Sequence, residues 1–527
     1  MANTTLIISL LPFVALLYLA FFDSERQRPK GTKYPPGPSR KPLIGNLLDI
    51  PPTHSWLQFK KWSDQYKTKI LRLTMAGQEH YIISSERVAN DLLRERGAIY
   101  SSRPVAPASA ELLSNNLRPV LLPYNDRSDT WRNGRKFMHS VANAKVASQY
   151  HATQELESTR MIVGLIREPR RYEHWLELYS AAVVFRLAFG KRIETGEEEV
   201  VRRIMKVNHT LERVASPGAY LVDTFPILMK LPKFLAPFKK ELQELHREEH
   251  SLFRGLLEDV RERMKNDSAP NCWERDFLEQ QQSLDLTNDE GAYVVGTLFE
   301  AGSGTTAAAM MSFMLAMVLH PAWFRMLQAE VDQISEERLP TLDDVPQMPT
   351  VRAAVKETLR WHPVTSGGLP HVCTKDDIYE GFFIPAGTVV HPVQWAMHRD
   401  PELYPDPETY NPQRWLDPSY PTYKEPLTEH PNLHNYSTFG FGRRICPGQN
   451  IAERNLYLLA ARIAWSVDLM KAKDETGKEI TPPYYTYTAG FNSQPKRFPF
   501  DAKVRSASRQ AIIDAEMQRH AENDPLK

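Results

Sequence analysis

A glycine- and arginine-rich stretch near the C-terminus contains the residue with the clearest chemical potential. It reads Ser-Thr-Phe-Gly-Phe-Gly-Arg-Arg-Ile-Cys-Pro-Gly-Gln-Asn over 437–450 and leads directly into a helical pattern over 451–467. Glycines permit backbone angles that a Cβ would forbid, so this loop can fold tightly under a flat ligand and aim N–H groups at the sulfur of Cys446. A lone cysteine is usually a small buried apolar residue, so its neighbours must decide its role.

Those neighbours form a pattern. The spacing of Phe439, Gly442, Arg444, Cys446 and Gly448 resembles the haem-binding signature of the cytochrome P450 superfamily, in which a cysteine thiolate holds the iron. The resemblance implies heme b as the cofactor and Cys446 as its axial ligand. It also implies that Arg444 pairs with a haem propionate and that Phe439 packs beside the sulfur.

A long apolar segment is expected to cover the opposite side of the haem. Thr287 and Glu290 form a capping-box pattern and no proline follows until Pro321, which predicts a helix of about thirty residues, or some ~45 Å. Its middle, 299–307, is rich in small residues that let a flat ligand approach, and threonine hydroxyls can bend such a helix. A transmembrane helix is the alternative, but Glu300 would make exposure to lipid costly. We therefore expect a buried catalytic helix.

Four residues of this helix match the family's oxygen-activating pattern: Ala301, Gly302, Thr305 and Thr306. The resemblance implies that Gly302 lies against the haem and that Thr305, beside Thr306, holds dioxygen and a water. Gly304 departs from the pattern, because an acidic residue usually stands there. Glu300, one helical turn earlier, is the candidate proton source if its side chain turns inward. The alternative is a carboxylate paired elsewhere in the core.

Three further residues are candidates for holding the propionates. Trp131 and Arg135 stand four positions apart, so an indole N–H and a guanidinium can point at the same anion from one helical face. His371 occupies a place where the family uses Arg or His for a propionate. The alternatives are a buried tryptophan beside a surface arginine, and a surface histidine.

Glu357, Arg360 and Arg414 resemble the family's Glu-Arg-Arg triad. The first two lie three positions apart on a predicted helix, and Arg414 belongs to the Asn-Pro-Gln-Arg-Trp segment over 411–415. A carboxylate engaged by two guanidinium groups makes charge-assisted hydrogen bonds to both. We expect all three residues to be structural.

The N-terminus contains an uncharged apolar run, Leu6 to Phe22, which predicts a membrane anchor over 1–22. A cleavable signal peptide is the alternative, but it usually has a basic start, and Met1 to Thr5 has no charge. The positive-inside tendency places the flank with the basic residues in the cytosol, so we expect a single-pass protein of the endoplasmic reticulum membrane with a cytosolic catalytic domain. The basic residues of this flank are Arg26, Arg28, Lys30 and Lys33.

The anchor is followed by a basic and proline-rich segment, 23–50, which we interpret as a rigid hinge, with a generic proline-rich linker as the alternative. The remaining chain predicts one catalytic domain over 51–500 and a polar tail over 501–527 without an evident role. A β-hairpin is expected over 69–83 and an irregular loop over 101–124. Long helical patterns then dominate, so the fold class is mainly α with small β-sheets, the cytochrome P450 fold with an N-terminal transmembrane helix.

Composition narrows the functional classes. Hydrophobic residues make up 42% of the 527 residues and charged residues 24%, as in proteins with a packed core. Lys and Arg number 65 against 64 Asp and Glu, without a long basic run, so nucleic acid is not an expected partner. Three widely spaced cysteines suit a reducing compartment without a disulfide framework.

The apolar stretch 215–232 is either core or a surface that lines substrate access and touches the membrane.

The resemblance is greatest to fungal microsomal members, including the O-methylsterigmatocystin oxidoreductase group. It implies a haem-thiolate monooxygenase of secondary metabolism that oxidises a hydrophobic small molecule with O2. NADPH-derived electrons would arrive through NADPH-cytochrome P450 reductase, with cytochrome b5 as a second candidate donor. Two alternatives are a haem-thiolate isomerase or dehydratase that needs no reductase, for which Gly304 is the only support, and a non-enzymatic haem or lipid carrier.

Overall fold

The computed structural model describes residues 28–42, 44–124, 129–216, 218–424, 433–434 and 436–526, so the predicted anchor over 1–22 lies outside the described residues. Helices dominate, as the sequence predicts. The helices are α1 Ser55–Gln65, α2 Glu86–Ala89, α3 Gly97–Tyr100, α4 Asp129–Ala142, α5 Ala144–Ala147, α6 His151–Arg167, α7 Tyr172–Phe189, α8 Glu199–Ala215, α9 Leu221–Thr224, α10 Pro237–Lys265, α11 Trp273–Leu284, α12 Asn288–Leu319, α13 Pro321–Ile334, α14 Pro349–Trp361, α15 Gln394–Met397, α16 Gln449–Ser466 and α17 Ala507–Asn523.

The strands form small sheets. They are β1 Ile70–Met75, β2 Gln78–Ile83, β3 His371–Val372, β4 Asp377–Tyr379, β5 Phe382–Ile384, β6 Val389–Pro392, β7 Val467–Lys471 and β8 Phe500–Val504. In the four-stranded sheet, β2 lies between β1 (antiparallel) and β6 (parallel), and β3 pairs antiparallel with the other edge of β6. The two-residue turn between β1 and β2 has both φ angles positive, at 48° and 84°, which suits a tight hairpin, and the antiparallel pairing confirms the predicted one.

Helix α12 is the central element of the core. It begins at the predicted capping box, in which the Thr287 hydroxyl accepts the Glu290 N–H at 3.2 Å and the Glu290 carboxylate accepts the Thr287 N–H at 2.8 Å. Helices α4, α7, α10, α14 and α16 pack around it. Among the described residues it is the one helix long and apolar enough to cross a membrane, but 78% of its apolar window is buried inside the domain. Its position as the core helix accounts for its apolarity.

The proline-rich segment is hydrogen-bonded to two of the sheets. Lys33 donates its N–H to Gly381 O at 3.0 Å and accepts the Phe383 N–H at 2.8 Å, and Pro36 O accepts the Arg72 N–H at 2.9 Å. Prolines lack an N–H, but their carbonyl groups can still extend the edge of a sheet. The segment from Lys33 onward therefore belongs structurally to the catalytic domain.

The C-terminal segment also differs from the predicted tail. Strand β8 pairs antiparallel with β7, so the predicted boundary at 500 falls within a strand, and α17 packs on α6. Directly after α17, the two carboxylate oxygens of Asp524 accept hydrogen bonds from both terminal nitrogens of the buried Arg186, at 2.8 and 2.6 Å. This buried ion pair fastens the end of the chain to α7.

The segments 101–124 and 215–232 are both more ordered than their sequences alone indicate. The predicted irregular loop over 101–124 contains a π-helical turn, Pro107–Leu113. The apolar stretch over 215–232 divides: Val222 of α9 is buried, whereas Leu221 and Ile227 are 67% and 62% exposed. Farther along, Phe234 is 83% exposed. This part of the chain therefore contributes to the core on one side and presents apolar side chains to the outside on the other.

Candidate functional site

The loop that presents Cys446 depends on close backbone approach. Gly442 has a φ of +54°, and a Cβ at this position would lie 2.3 Å from Leu93 O, so no other residue fits without moving the backbone. The Cys446 N–H donates to Phe439 O at 2.8 Å, which closes the loop just before α16 begins. Phe439 is half-buried and packs against the main core. These contacts hold the part of the loop that precedes the cysteine.

The surroundings of the Cys446 thiol act in opposite directions on its charge. Burial raises the pKa of the thiol, whereas the backbone N–H of Gly448, the guanidinium of Arg135 and the backbone N–H of Gln449 lower it. These groups would stabilise a thiolate once the site is filled by a cation such as a metal ion. The thiol is therefore placed where a metal can convert it to the ligating form.

A cluster of arginines lies beside this loop. Arg444 donates to Ser101 O at 2.8 Å, to Leu122 O at 2.7 Å and to Pro119 O at 3.3 Å, and its guanidinium lies 4.6 Å from the ring centre of Trp131. Trp131 is 8% exposed. Burial lowers the pKa of Arg444 to about 8, and the charges of two neighbouring arginines add to this effect.

Those neighbours are Arg103 and Arg135. Arg103 donates to Val120 O at 3.2 Å and to Pro370 O at 2.5 Å, and burial lowers its pKa to about 10, with Arg135 contributing. Arg135 donates to Ile445 O, within the cysteine loop, and burial lowers its pKa as well. In the described parts of the chain none of these three guanidinium groups forms an ion pair with a carboxylate.

His371 lies at the edge of the same cluster. Its Nδ1–H donates to Tyr100 O at 2.7 Å, and burial together with the charge of Arg103 lowers its pKa well below the ordinary value. The structure thus brings His371 together with Trp131, Arg135 and Arg444, as the sequence predicts. Arg103 is an addition, since a single arginine in a proline-rich loop has no spacing that would single it out.

This arrangement fits haem. A buried group of like charges is unfavourable unless an anion joins it. Two propionates would supply that anion, and the cysteine thiol at the adjoining loop would supply an iron ligand. The residues that would hold the group are Cys446, Arg103, Arg135, Arg444, Trp131 and His371.

The middle of α12 opens on the side that would face such a ligand. The helix is buried on almost every position from 291 to 318, but Ala301 is exposed and Thr305, one turn later, is half-buried. The Thr305 hydroxyl donates to Ala301 O at 2.8 Å. Thr306 is buried at 4% exposure. We call this exposed part of α12, from Ala301 to Thr305, the groove; the Thr305 hydroxyl lies at its edge.

Gly302 has a packing explanation in the structure. A Cβ at this position would lie 2.5 Å from Val184 Cγ1 of α7, so the glycine permits close contact between the two helices. At Gly304 a Cβ would meet nothing within 4 Å. The position that departs from the family pattern is therefore bordered by open space, whereas the role of Gly302 against the cofactor stays a prediction.

The placement of Glu300 corresponds to the second alternative raised from the sequence. Its Oε2 pairs with Arg118, which is fully buried, and Arg118 also pairs with Glu249 of α10 at 2.6 Å. Burial raises the pKa of Glu300 to about 7, while Arg118 opposes this shift and Glu249 adds to it. Its Oε1 has no hydrogen-bond partner among the described residues. Arg118 and Glu249 were missed because nothing in their sequence spacing connects them.

Glu357, Arg360 and Arg414 meet in the core. Arg360 donates to the two carboxylate oxygens of Glu357 at 2.8 Å each, and Arg414 Nε donates at 3.3 Å. Both arginines also donate to backbone carbonyl groups of the segment 398–409, including Thr409 O. The predicted triad therefore connects α14 with the segment that precedes the cysteine loop.

Comparison with known proteins agrees with this geometry. Residues 35–482 match the family model described as Cytochrome P450. Cytochrome P450 monooxygenase fogE of Aspergillus ruber is 36% identical over 492 residues, which cover 93% of this chain and 90% of that protein. Cytochrome P450 monooxygenase virE of Hypocrea virens is 34% identical over 507 residues, which cover 95% of this chain and 91% of that protein.

A solved structure supports the fold. A zebra fish cytochrome P450, in a structure with abiraterone, superposes with a TM-score of 0.67 at 22% identity. The match covers 86% of this chain and all of that one. At this identity the likeness establishes the shared architecture of helices and small sheets.

Proposed function

Because the chain belongs to the cytochrome P450 family and is a haem-thiolate monooxygenase, we propose that it oxidises a hydrophobic product of fungal secondary metabolism. Its electrons come from a redox partner, and we assign that role to NADPH-cytochrome P450 reductase, with cytochrome b5 as a second donor. The observation that carries the site assignment is the cluster of the buried Arg103 with the partly buried Arg135 and Arg444 beside the loop of Cys446, which has no carboxylate partner among the described residues. When bound, the haem activates O2 for insertion of one oxygen atom into the substrate.

Each residue of the cluster has a distinct task. Cys446 would provide the sulfur that holds the iron, and the loop hydrogen bond to Phe439 O fixes its backbone. Arg135 and Arg444 would bind the propionates, with Trp131 and His371 beside them, and Phe439 would shield the sulfur from water. The Glu357, Arg360 and Arg414 triad holds the preceding segment in place and takes no part in the chemistry.

Helix α12 would supply the residues that bind dioxygen and deliver protons. Thr305 offers a hydroxyl at the groove, and Thr306 supports it from the buried side. Burial and the neighbouring Glu249 raise the pKa of Glu300 to about 7 although Arg118 opposes this shift, so we assign to Glu300 the role of the acid that is missing at Gly304. Gly302 lets the helix lie close to its neighbours at the level of the groove.

We also assign the protein to the endoplasmic reticulum membrane, as a single-pass protein with a cytosolic domain. The anchor over 1–22 lies outside the described residues, so this assignment rests on the apolar run and its basic flank in the sequence. The exposed side chains of Leu221, Ile227, Phe234 and Leu235 support a second contact with the membrane surface. Hydrophobic substrates would then enter from the lipid phase.

The monooxygenase assignment is favoured over the two alternatives raised from the sequence. The relatives compared above are themselves named monooxygenases. In addition, an isomerase, a dehydratase or a carrier would need no hydroxyl at a dioxygen groove, whereas Thr305 stands at the opening of α12. Neither alternative has an observation of its own in the structure.

The test combines membranes that contain the protein and its reductase with measurement of NADPH oxidation, O2 uptake and peroxide. Comparison of metabolites from a strain with and without the protein would supply the substrate. We expect Thr305→Ala to retain haem and to divert electrons to peroxide. Ser312→Ala is the matched control, because Ser312 donates to Ala308 O at 3.1 Å in the same helix but is fully buried. Unchanged peroxide in Thr305→Ala would refute the role of Thr305.

A further inference from the structure

Helix α12 has a polar stripe that its apolar composition does not require. Tyr293, Thr297, Glu300 and Gly304 follow one another at intervals of four, three and four residues, which places them on one side of the helix. Thr297 Oγ1 is buried and has no hydrogen-bond partner among the described residues. The stripe ends at the open space beside Gly304, next to Thr305. It therefore connects the groove with the beginning of the helix.

A buried group of three charges lies against this stripe. Arg118 bridges Glu249 and Glu300 through one terminal nitrogen each, and its Nε donates to Ser114 Oγ at 3.1 Å. The side chains of Arg118, Glu249 and Glu300 are 0%, 1% and 5% exposed. The bridge occupies the Oε2 atom of both carboxylates, and both Oε1 atoms are left without a partner in the described chain.

The charges of this group do not balance unless a proton is added. Two carboxylates face one guanidinium, and an excess charge away from water is costly. The charged groups that act on Glu300 come from two other elements: Arg118 precedes α4, and Glu249 belongs to α10. The arginine stays protonated because both carboxylates raise its pKa against the effect of burial. The added proton is therefore assigned to Glu300, whose pKa is raised by burial and by the charge of Glu249.

The group has a connection to the surface through α10. His246 is half-exposed, and its Nδ1 makes two contacts: its N–H donates to Leu113 O at 2.8 Å, and the oxygen of the Tyr293 hydroxyl lies 3.4 Å from the same nitrogen. Burial and the charge of Glu249 raise the pKa of Tyr293 well above its ordinary value. Tyr293 thus stays a hydroxyl that can receive a proton on one side and donate on the other.

We propose that Glu300, held beside Glu249 by Arg118, carries a proton, and that this acid, resupplied through His246 and Tyr293, delivers protons to the groove beside Gly304. This proposal rests on the role assigned above to Glu300. A proton leaves Glu300 Oε1 through water in the space beside Gly304, and a solvent proton that passes along His246 and Tyr293 then restores the acid. Arg118 is a positioning residue, since it holds both carboxylates but keeps its own protons.

Infrared titration of the ferric holoenzyme, without substrate or reductase, tests the proton on Glu300. Glu300→Gln removes the acid itself, and Glu249→Gln removes the neighbouring charge that raises the pKa of Glu300. We therefore expect both variants to lose the same protonated-acid carbonyl band, which titrates near neutral pH in the wild type. A protonated-acid band that persists near neutral pH in one variant, or no lost band in either, would overturn the proton on Glu300.

Glu274 offers a matched control for this measurement. It is fully buried in α11, both of its oxygens lack partners among the described residues, and burial raises its pKa well above the ordinary value. Glu274→Gln should remove a separate acid band and leave the band of the carboxyl pair and its titration unchanged.

The fraction of NADPH electrons that reach product, rather than peroxide, tests whether this route delivers protons. We expect Tyr293→Phe to raise the ratio of peroxide to product by about tenfold or more and to change the solvent deuterium isotope effect, because positioned proton transfer is worth about 10²–10⁴-fold. Gly304→Asp should restore coupling in Glu300→Gln, since its side chain enters open space one turn later. Wild-type coupling in both Tyr293→Phe and Glu249→Gln would overturn the relay. A wild type without NADPH-dependent O2 uptake would instead refute the proposed function, and the infrared result would stand independently.

Discussion

Replacing Glu357 by glutamine should destabilise the domain more than any change at an exposed ion pair. The side chain is 0% exposed and accepts five hydrogen bonds. Two come from Arg360, and one each comes from the Asn411 N–H, Arg414 Nε and Trp415 Nε1. The amide of glutamine has an NH2 group in place of one of the two oxygens. At either position this NH2 group faces at least two of these donors, which then lose their acceptor.

The magnitude follows from these contacts. Each hydrogen bond between charged partners contributes about 1.5–3 kcal/mol, so the loss of two costs about 3–6 kcal/mol. Breaking a buried ion pair by removal of one partner costs about 3–5 kcal/mol, which agrees. A whole domain is stable by only about 5–15 kcal/mol, so the variant should be close to unfolding.

Urea unfolding of the haem-loaded protein, followed by circular dichroism and by haem absorbance, measures this loss. Asp64→Asn is the control, because Asp64 pairs with Lys60 at 2.5 Å but its side chain is 62% exposed. We expect the control to lose no more than about 1 kcal/mol. A loss below about 1 kcal/mol for Glu357→Gln as well would refute the reasoning that the triad is a structural lock.

Three further outcomes are expected. Gly304→Asp in the wild-type background should fold normally and keep its haem, because a Cβ at this position meets nothing within 4 Å. Haem content and thermal unfolding measure this, and loss of haem would show that the space beside Gly304 is closed. Arg103→Gln should increase the rate of haem transfer to apomyoglobin, whereas Arg247→Gln, at an exposed pair, should not; equal rates would contradict the placement of Arg103 at the propionates. Asp524→Asn should lose about 2 kcal/mol at neutral pH, because Arg186 lowers the pKa of Asp524 to about 2. This folded-state pKa lies below that of the unfolded chain, so the stabilisation by Asp524 is present above about pH 4 and is lost as the pH falls toward 2. If Asp524→Asn were less stable than the wild type by the same amount at low pH, the ion pair would not be the cause.

Much of the site could be predicted because local spacing determines it. The glycines of the cysteine loop, the capping box at Thr287 and the three-residue interval between Glu357 and Arg360 all express geometry that lies within a few residues. The hairpin of β1 and β2 was predictable for the same reason.

The remaining features depend on contacts between distant parts of the chain. Arg118, Glu249 and Glu300 come from three separate elements, so no spacing reveals that they meet, and the sequence left the direction of Glu300 open. The C-terminal helix was predicted as a tail because most of its surface is polar. Its docking depends on Asp524, whose partner Arg186 lies in α7.

The central claim is that Cys446 is the thiolate ligand of the haem, and the reduced carbon monoxide spectrum tests it most directly. Cys446→Ser should lose the thiolate-type absorption band, because a serine oxygen is a harder donor than thiolate sulfur. Cys272→Ser, at a cysteine that is 4% exposed near α11, should keep the band. A thiolate-type band that survives in Cys446→Ser, or disappears in Cys272→Ser alone, would contradict the assignment.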